Sequence, residues 1–161
     1  MQIRIAGIVP ESFVDGAGIR YVVFMQGCLR RCAGCHNPHT HDLSGGYLVE
    51  SQDLIAGMKK NSCLTGLTLT GGEPFLQVDA SIELSKAAKH LGLSVWCYTG
   101  FKYEEIKESP LLAWVDVLVD GEFNLGLRDL NLKFRGSSNQ RLINVAETRR
   151  RNEIVLIKEE Q

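Results

Sequence analysis

The sequence predicts an α/β fold, an open partial (βα) barrel built on a mostly parallel sheet of five or six strands. Three observations carry this expectation. Short apolar runs alternate with stretches of helical period along the chain, the pattern of strand–helix–strand units around a parallel sheet. The run Tyr21-Val22-Val23-Phe24-Met25 is apolar throughout, as a strand covered on both faces would be. The chain has 161 residues, too few for a closed eight-stranded barrel, which usually takes about 250. Residues 1–161 are expected to form one domain, large enough to bury a core without staples.

The elements follow in order. Met1 to Gly7 reads as a first strand and Tyr21 to Met25 as a second. Ser51 is placed to cap a helix with Leu54, Ile55 and Met58 on one side. Leu67 to Thr70 is a strand that runs into two glycines. Asp79 is placed to cap the next helix, whose Leu84, Ala87, Ala88 and Leu91 follow i, i+3, i+4, i+7, and Gly92 stands where a C-terminal glycine belongs. Leu93 to Tyr98 is a strand, Tyr103 to Glu108 a short helix stopped by Pro110, Trp114 to Val119 a strand, and Glu153 to Ile157 a last one. In such a fold the chemistry sits at the C-terminal strand ends. Four segments with loop punctuation are therefore expected to meet on one rim: the cysteine loop after Met25, Gly71-Gly72-Glu73-Pro74, Thr99-Gly100 and Asp120-Gly121.

Composition narrows the function. The hydrophobic fraction is 44%, the charged fraction 23% and the net charge −1, ordinary for a globular protein and without the basic excess of a nucleic-acid or anionic-membrane binder. Arg149-Arg150-Arg151 is short and reads as a solvated turn before the last strand. No apolar stretch is long enough to span a bilayer and no secretory h-region is visible, so the cytoplasm is expected. There, five cysteines argue for metal or redox chemistry rather than a disulfide framework. Cys63 and Cys97 stand alone and are expected to be small buried apolar residues.

The other three, Cys28, Cys32 and Cys35, form Cys-x3-Cys-x2-Cys. Thiolates are soft ligands for iron-sulfur clusters and for zinc. Structural zinc needs a closed shell of four ligands. His36 is adjacent to Cys35, and neighbours rarely point at one ion; His39 and His41 remain as further candidates. A [4Fe-4S] cube held by three thiolates keeps one iron open to another ligand, and Gly27 and Gly34 let the backbone curl close to so bulky a group. The spacing favours the cluster over zinc. Arg30 and Arg31 either moderate the cluster's negative charge or are solvated.

Cys-x3-Cys-x2-Cys after an early strand resembles the signature of the radical S-adenosylmethionine (SAM) enzymes. Gly71-Gly72-Glu73-Pro74 resembles their second motif, which meets the methionyl amino group of SAM. Val14-Asp15-Gly16-Ala17-Gly18-Ile19-Arg20 looks like the segment that leads into the cysteines in the glycyl-radical-enzyme activases of that superfamily. Tyr98 to Phe101, Val117 to Phe123 and Phe134 to Arg141 resemble the small activases of the group, and the similarity runs from about Asp15 to Arg141.

The resemblance implies a [4Fe-4S] cluster on Cys28, Cys32 and Cys35, with SAM on the iron that lacks a cysteine. It places Gly34, Cys35 and His36 along the adenine, and Gly71, Gly72 and Glu73 at the methionyl end. Catalysis would rest on these cofactors rather than on a catalytic side chain. The implied partner is a large glycyl radical enzyme: anaerobic ribonucleoside-triphosphate reductase for the small activases, pyruvate formate-lyase for longer ones that share Cys35-His36-Asn37. The electron donor would be a reductant such as flavodoxin, with no nucleic acid or membrane involved. The rival readings are a cluster-bearing electron-transfer protein and a zinc-stabilised interaction domain. Two positions depart from wider patterns. Gly34 stands where many radical SAM enzymes carry an aromatic residue, and Cys97 or Tyr98 where longer activases carry an aspartate. Asp120 falls where those activases set an acid near a cation, though Asp-Gly also reads as a turn. Asn37 is placed either to hydrogen-bond the cofactor or to cap the turn before Pro38, and Ser137 to Gln140 form a polar loop that either meets SAM or the partner or is a satisfied surface loop.

Overall fold

A computed structural model describes residues 1–158 of the chain. Its centre is one sheet of seven strands: β1 (Gln2–Ser12), β2 (Arg20–Met25), β3 (Tyr47–Glu50), β4 (Gly66–Gly71), β5 (Ser94–Tyr98), β6 (Val117–Asp120) and β7 (Arg141–Asn144). The order is β3-β1-β2-β4-β5-β6-β7. β2, β4, β5 and β6 run parallel, while β1, β3 and β7 add antiparallel strands at the two sides. The sheet is open, with β3 and β7 as its edges, and has seven strands rather than five or six.

The parallel strands are laid down in sequence order, so each crossover steps the same way. Right-handed connections then place every intervening helix on one face. That face carries Val23, Met25, Leu67, Leu69, Val95 and Cys97, packed against Leu54 and Met58 of α1 (Ser51–Lys60), Leu84 and Ala88 of α2 (Val78–His90), and Leu111 and Leu112. Because side chains alternate along a strand, the opposite face carries Trp96, Val117, Val119 and Leu142, with Tyr98 and Phe134 against them. Among the described residues, what packs on this second cluster from outside the sheet comes from irregular segments, through Phe134 and Ile157, and not from a helix.

Arg20 anchors a further loop. All five of its donors are used: Nε to Thr68 Oγ1 (2.7 Å), Nη1 to Ala17 O (2.9 Å) and Ser94 Oγ (3.0 Å), and Nη2 to Leu67 O (2.8 Å) and Ser94 O (3.0 Å). Burial lowers its pKa to about 10. Thr68 Oγ1 in turn donates to Asp15 O at 2.7 Å. The segment before β2 is thereby folded against the sheet.

Several boundaries differ from expectation. Ser51 opens α1 rather than capping it, with Glu50 extended at the cap position; the Ser51 hydroxyl donates to Glu83 Oε1 (2.7 Å), joining α1 to α2. Asp79 lies inside α2, where a first-turn acid complements the helix dipole. Gly92 follows α2 with φ +78, as expected. α3 (Tyr103–Ile106) is four residues, and Pro110–Trp114 is a 3₁₀ turn, so β6 begins later than Trp114. Arg149 to Arg151 form the last turn of α4 (Val145–Arg151), a helix capped by Asn144 Oδ1, which accepts from Glu147 N at 3.1 Å. Glu153 to Ile157 is not a strand: it makes a single bridge, Leu156 to Ile143. Among the described residues no helix is long and apolar enough to cross a membrane.

Candidate functional site

The four parallel strands end on one rim, as expected, and backbone bonds stitch their loops together. After β2, Gly27 N donates to Thr40 O (2.7 Å) and Cys28 N to His41 O (3.2 Å). The Gln26 amide donates to His39 O (3.0 Å) and Asp42 O (2.7 Å). The cysteine segment is therefore a loop cinched at its base. Within it Cys35 N donates to Cys32 O (3.1 Å) and Asn37 N to Cys35 Sγ (3.4 Å). Asn37 precedes the 3₁₀ turn Pro38–Thr40 but caps it through its carbonyl, which accepts from Thr40 N and Oγ1, not through its side chain.

The Gly-Gly-Glu-Pro segment docks on that base. Gly72 N donates to Met25 O and Glu73 N to Gly27 O, both at 2.8 Å. The approach is close enough that a Cβ at Gly71 would stand 2.6 Å from Met25 N, and one at Gly72 would collide with the Gly27 carbonyl. Both glycines are required by backbone contact, not only by a ligand.

Glu73 is 3% exposed. Its Oε1 accepts from Thr99 Oγ1 (2.7 Å) and Phe75 N (3.2 Å), and Oε2 from Gly100 N (2.8 Å). Burial pushes its pKa up; Gly100 N–H, the Thr99 hydroxyl, Phe75 N–H and the charge of Arg30 pull it back. The carboxylate thus ties the end of β4 to the end of β5. A carboxylate has about four acceptor sites, so capacity for another donor is left. The rim closes through Thr99 N to Val119 O and Gly121 N to Phe101 O, each 2.9 Å.

Residues 121–140 arch over the cysteine loop. The Phe123 ring meets His36 edge-on at 5.2 Å, and Gly136 lies against both: a Cβ there would be 3.0 Å from the Phe123 ring and 3.2 Å from His36 Nε2. Gly34 has φ +73, and a Cβ there would be 2.9 Å from Leu125 Cδ1. That is the physical reason for glycine at a position where an aromatic residue is common elsewhere: Phe123 and Leu125 already fill the space. Ser137 to Gln140 form a loop whose middle, Ser138 and Asn139, is exposed as expected, while its two ends brace the arch. Ser137 is fully buried and its hydroxyl accepts from Asn124 N (3.1 Å); Gln140 Oε1 accepts from Gly136 N (2.9 Å), and its Nε2 donates to Gly121 O (3.1 Å).

Two clefts flank this arch. One of about 650 Å³ lies on the helix-free face of the sheet, lined by Asp15, Phe24, Cys35, His36, Thr70, Tyr98 and Phe134 among others. A second, also about 650 Å³, is lined by Arg30, Gly100, Lys102, Glu105, Glu122 and Phe123 among others. Cys35 and His36 thus line the first cleft; Gly34, Gly71, Gly72 and Glu73 line neither but support the loops between them.

The Cys28, Cys32 and Cys35 thiols are free and partly exposed. Burial, the Glu122 carboxylate and the other two thiols of the loop raise the Cys32 pKa, while the Phe123 backbone N–H opposes them. The three sulfurs therefore share one electrostatic neighbourhood. Among the described residues no set of three Cys, His, Asp or Glu is gathered around a single ion. The closed four-ligand shell of structural zinc is not formed, whereas three soft donors on one cinched loop fit a cluster whose thiolates each take a separate iron.

Three further placements correct the sequence reading. Cys63 is exposed; only Cys97 is the buried residue expected. Asp120 is no turn residue: it is 1% exposed and accepts from Arg141 Nε (3.0 Å) and Nη2 (2.6 Å) and from Tyr103 N (2.7 Å), so its countercharge is an arginine. Arg30 is not solvated. It lies over the Phe101 ring at 4.3 Å and pairs with Glu122. Thr99 lies on the rim, as expected; Glu122, Phe123 and Arg141 are not among the expected cofactor or metal residues, because their partners are distant in sequence.

A family model described as a 4Fe-4S single cluster domain matches residues 14–143. Among curated proteins, the chain is 38% identical over 142 residues to the anaerobic ribonucleoside-triphosphate reductase-activating protein of Enterobacteria phage T4, covering 84% of this chain and 90% of the relative. Proteins of the same name from Vibrio cholerae and Haemophilus influenzae are 36% and 33% identical over 141 residues, covering 81% of this chain and 91% of each relative.

Proposed function

We propose, from the premise that this chain belongs to the 4Fe-4S single-cluster family that includes the anaerobic ribonucleoside-triphosphate reductase-activating proteins, that it is the activase of such a reductase: a radical SAM enzyme that installs a glycyl radical on its partner. The observation that carries this reading is the pair of 2.8 Å bonds joining Gly72 and Glu73 to the base of the cysteine loop. An electron-transfer protein would have no need of a second motif docked there.

In this reading Cys28, Cys32 and Cys35 hold the [4Fe-4S] cluster, and SAM completes its fourth iron. Together they supply, when bound, a one-electron cleavage of SAM that yields a carbon radical able to take a hydrogen atom. The chain's own residues bind and orient. Gly71, Gly72 and Glu73 face the methionyl ammonium, the spare acceptor capacity of Glu73 suiting a charge-assisted bond. Gly34, Cys35 and His36 lie along the adenine, with His36 held by Phe123. The arch over the loop restricts water, and the helix-free face of the sheet, curved as a partial barrel, admits the partner's glycine segment. Residues 1–161 act as one domain in the cytoplasm, with a reductant such as flavodoxin as electron source.

The test is anaerobic reconstitution with iron and sulfide, reduction with SAM present, and paramagnetic resonance after mixing with the reductase. Release of 5'-deoxyadenosine and a glycyl doublet on the reductase are expected. A Cys32→Ala protein that still cleaves SAM contradicts the cluster assignment; a doublet on pyruvate formate-lyase alone contradicts the choice of partner.

A further inference from the structure

Arg30 stands two residues beyond Cys28, and its guanidinium lies at 4.3 Å over the Phe101 ring. Its aliphatic stem passes so close to Gly100 that a Cβ there would strike its Cδ. The side chain is 20% exposed, so the charge is largely removed from water. A cation in that position calls for an anion. The anions it has are weakly committed. Glu122 takes only Nη1 and is itself 56% exposed. Glu105 is 53% exposed and stands 3.8 Å from Nη2, an ion pair too long for a hydrogen bond. Nε is buried and has no partner among the described residues. The Nε–Nη2 edge, the edge of the fork that matches a carboxylate in bidentate fashion, is unused.

Glu73 lies across Gly100 from this arginine: a Cβ at Gly100 would be 3.6 Å from Glu73 Oε2 and 2.8 Å from Arg30 Nε. A positive and a negative pole thus straddle one glycine at the cysteine loop, beside a cleft of about 650 Å³. The ammonium and carboxylate of an amino acid have the complementary arrangement. We infer that Arg30 is the receptor for the carboxylate of the amino-acid end of SAM, which displaces Glu122 from the guanidinium. The inference rests on the reading of the chain as SAM-binding and assigns a residue to that ligand's carboxylate. The exchange costs little on the Glu122 side, since an exposed carboxylate returns to water with small loss. It gives Arg30 a second bond along its free edge after a small turn of the guanidinium. Lys102 lines the same cleft and is the competing receptor.

The experiment uses the reconstituted cluster-bearing protein and two ligands, SAM and its decarboxylated analogue, with affinities measured by anaerobic equilibrium dialysis. Loss of a charge-assisted bidentate contact predicts that Arg30→Gln weakens SAM about ten- to hundredfold and the analogue by less than about twofold. Arg30→Lys, which keeps charge but not the fork, falls between. Glu122→Gln binds SAM at least as tightly as the wild type. Iron content and the spectrum of the reduced, ligand-free cluster stay as in the wild type, which separates ligand binding from bracing of the loop. The assignment is overturned if Arg30→Gln weakens both ligands equally, if it leaves SAM unaffected, or if Lys102→Gln shows the selective loss instead. Wild-type protein that binds neither ligand sinks the SAM reading itself and this assignment with it.

Discussion

At the scale of single residues, Glu73 and Gly72 have opposite reasons for their identity. Glu73 is an acid kept out of water by three donors from its own chain, and its burial raises its pKa. The folded protein therefore holds that proton more tightly than the unfolded chain does. The contribution of the group to stability is full below the unfolded carboxyl value, about 4.3, and is lost as pH rises through the folded value. Glu73→Gln cannot titrate. The stability of the apoprotein relative to this variant is thus expected to fall with rising pH, read as urea midpoints between about pH 4.5 and 7. A difference that grows with pH instead refutes the sign. The amide facing Gly100 N–H adds only a pH-independent offset. Gly72 is fixed by sterics. In Gly72→Ala the methyl group meets the Gly27 carbonyl, and backbone cannot step aside as a flexible side chain can. We expect a loss of about 2 kcal/mol or more and poor iron retention after reconstitution, since the displaced carbonyl belongs to the residue before Cys28. Full iron retention in that variant contradicts the role given to this contact.

At the scale of elements, the arch of residues 121–140 decides how the cysteine loop is held. Phe123 touches His36, Gly136 and the space beside Gly34, and its N–H faces the Cys32 thiol. Phe123→Ala removes the ring contact, worth about 0.5–1.5 kcal/mol, and leaves the N–H in place. Faster hydrogen exchange across residues 32–36 with unchanged exchange in β4 and β5 is the expected outcome; exchange that stays as in the wild type shows that the arch does not hold the loop. How much of this could be read from sequence differs by element. The apolar strands β2 and β4 to β6 and the periodic helices α1 and α2 were legible because burial on one or both faces imprints a period. β3 was not: it has four residues, lies at the edge, and exposes Tyr47 and Leu48, so no alternation marks it. β7 was hidden because Arg141 and Asn144 answer to Asp120 and Glu147 rather than to a core face. The tail residues Glu153 to Ile157 look like a strand by β-branching but pair at one point only, context overriding propensity. The cysteines and Gly71-Gly72-Glu73 were legible as motifs. That Glu73 is a rim tie and Arg30 faces it was not, because both contacts join loops separated by tens of residues.

At the scale of the whole molecule, the rim and the core are built from different material. The main hydrophobic cluster draws buried residues from β1, β2, β4, β5, β6 and β7 and from the helices, with Val49 of β3 packed against it, and none of its members lies between Gly27 and Thr40. The cysteine loop is joined to that body through its cinched base, Glu73 N and the arch, and it carries few backbone bonds of its own. The Asp120–Arg141 pair, with Arg141 reaching Glu104 at 2.9 Å, fixes the arch's second end and the β6–β7 edge independently of any thiol. Breaking it strands a buried carboxylate, so Arg141→Gln is expected to lower global stability by about 3 kcal/mol, measured as a urea midpoint shift with unchanged m-value. A shift of only a few tenths contradicts a burial-driven role for the pair.

Removing the cluster should act in the opposite part of the molecule. Metal ligation adds folding free energy where the ligands are, and local openings draw on the least-packed segments first. Stripping iron from the reconstituted protein is therefore expected to raise hydrogen exchange in residues 28–37 and in the arch, while amides of β2, β4 and β5 keep their protection. Protection lost throughout β4 and β5 on iron removal shows that the cluster nucleates the core, and the division between rim and body argued from the packing does not hold. If protection is lost only at the rim, the apoprotein is a preformed sheet with a loosened lip. Assembly of the site then requires ordering one cinched loop and the arch against an intact Glu73 tie, not folding the domain around a metal.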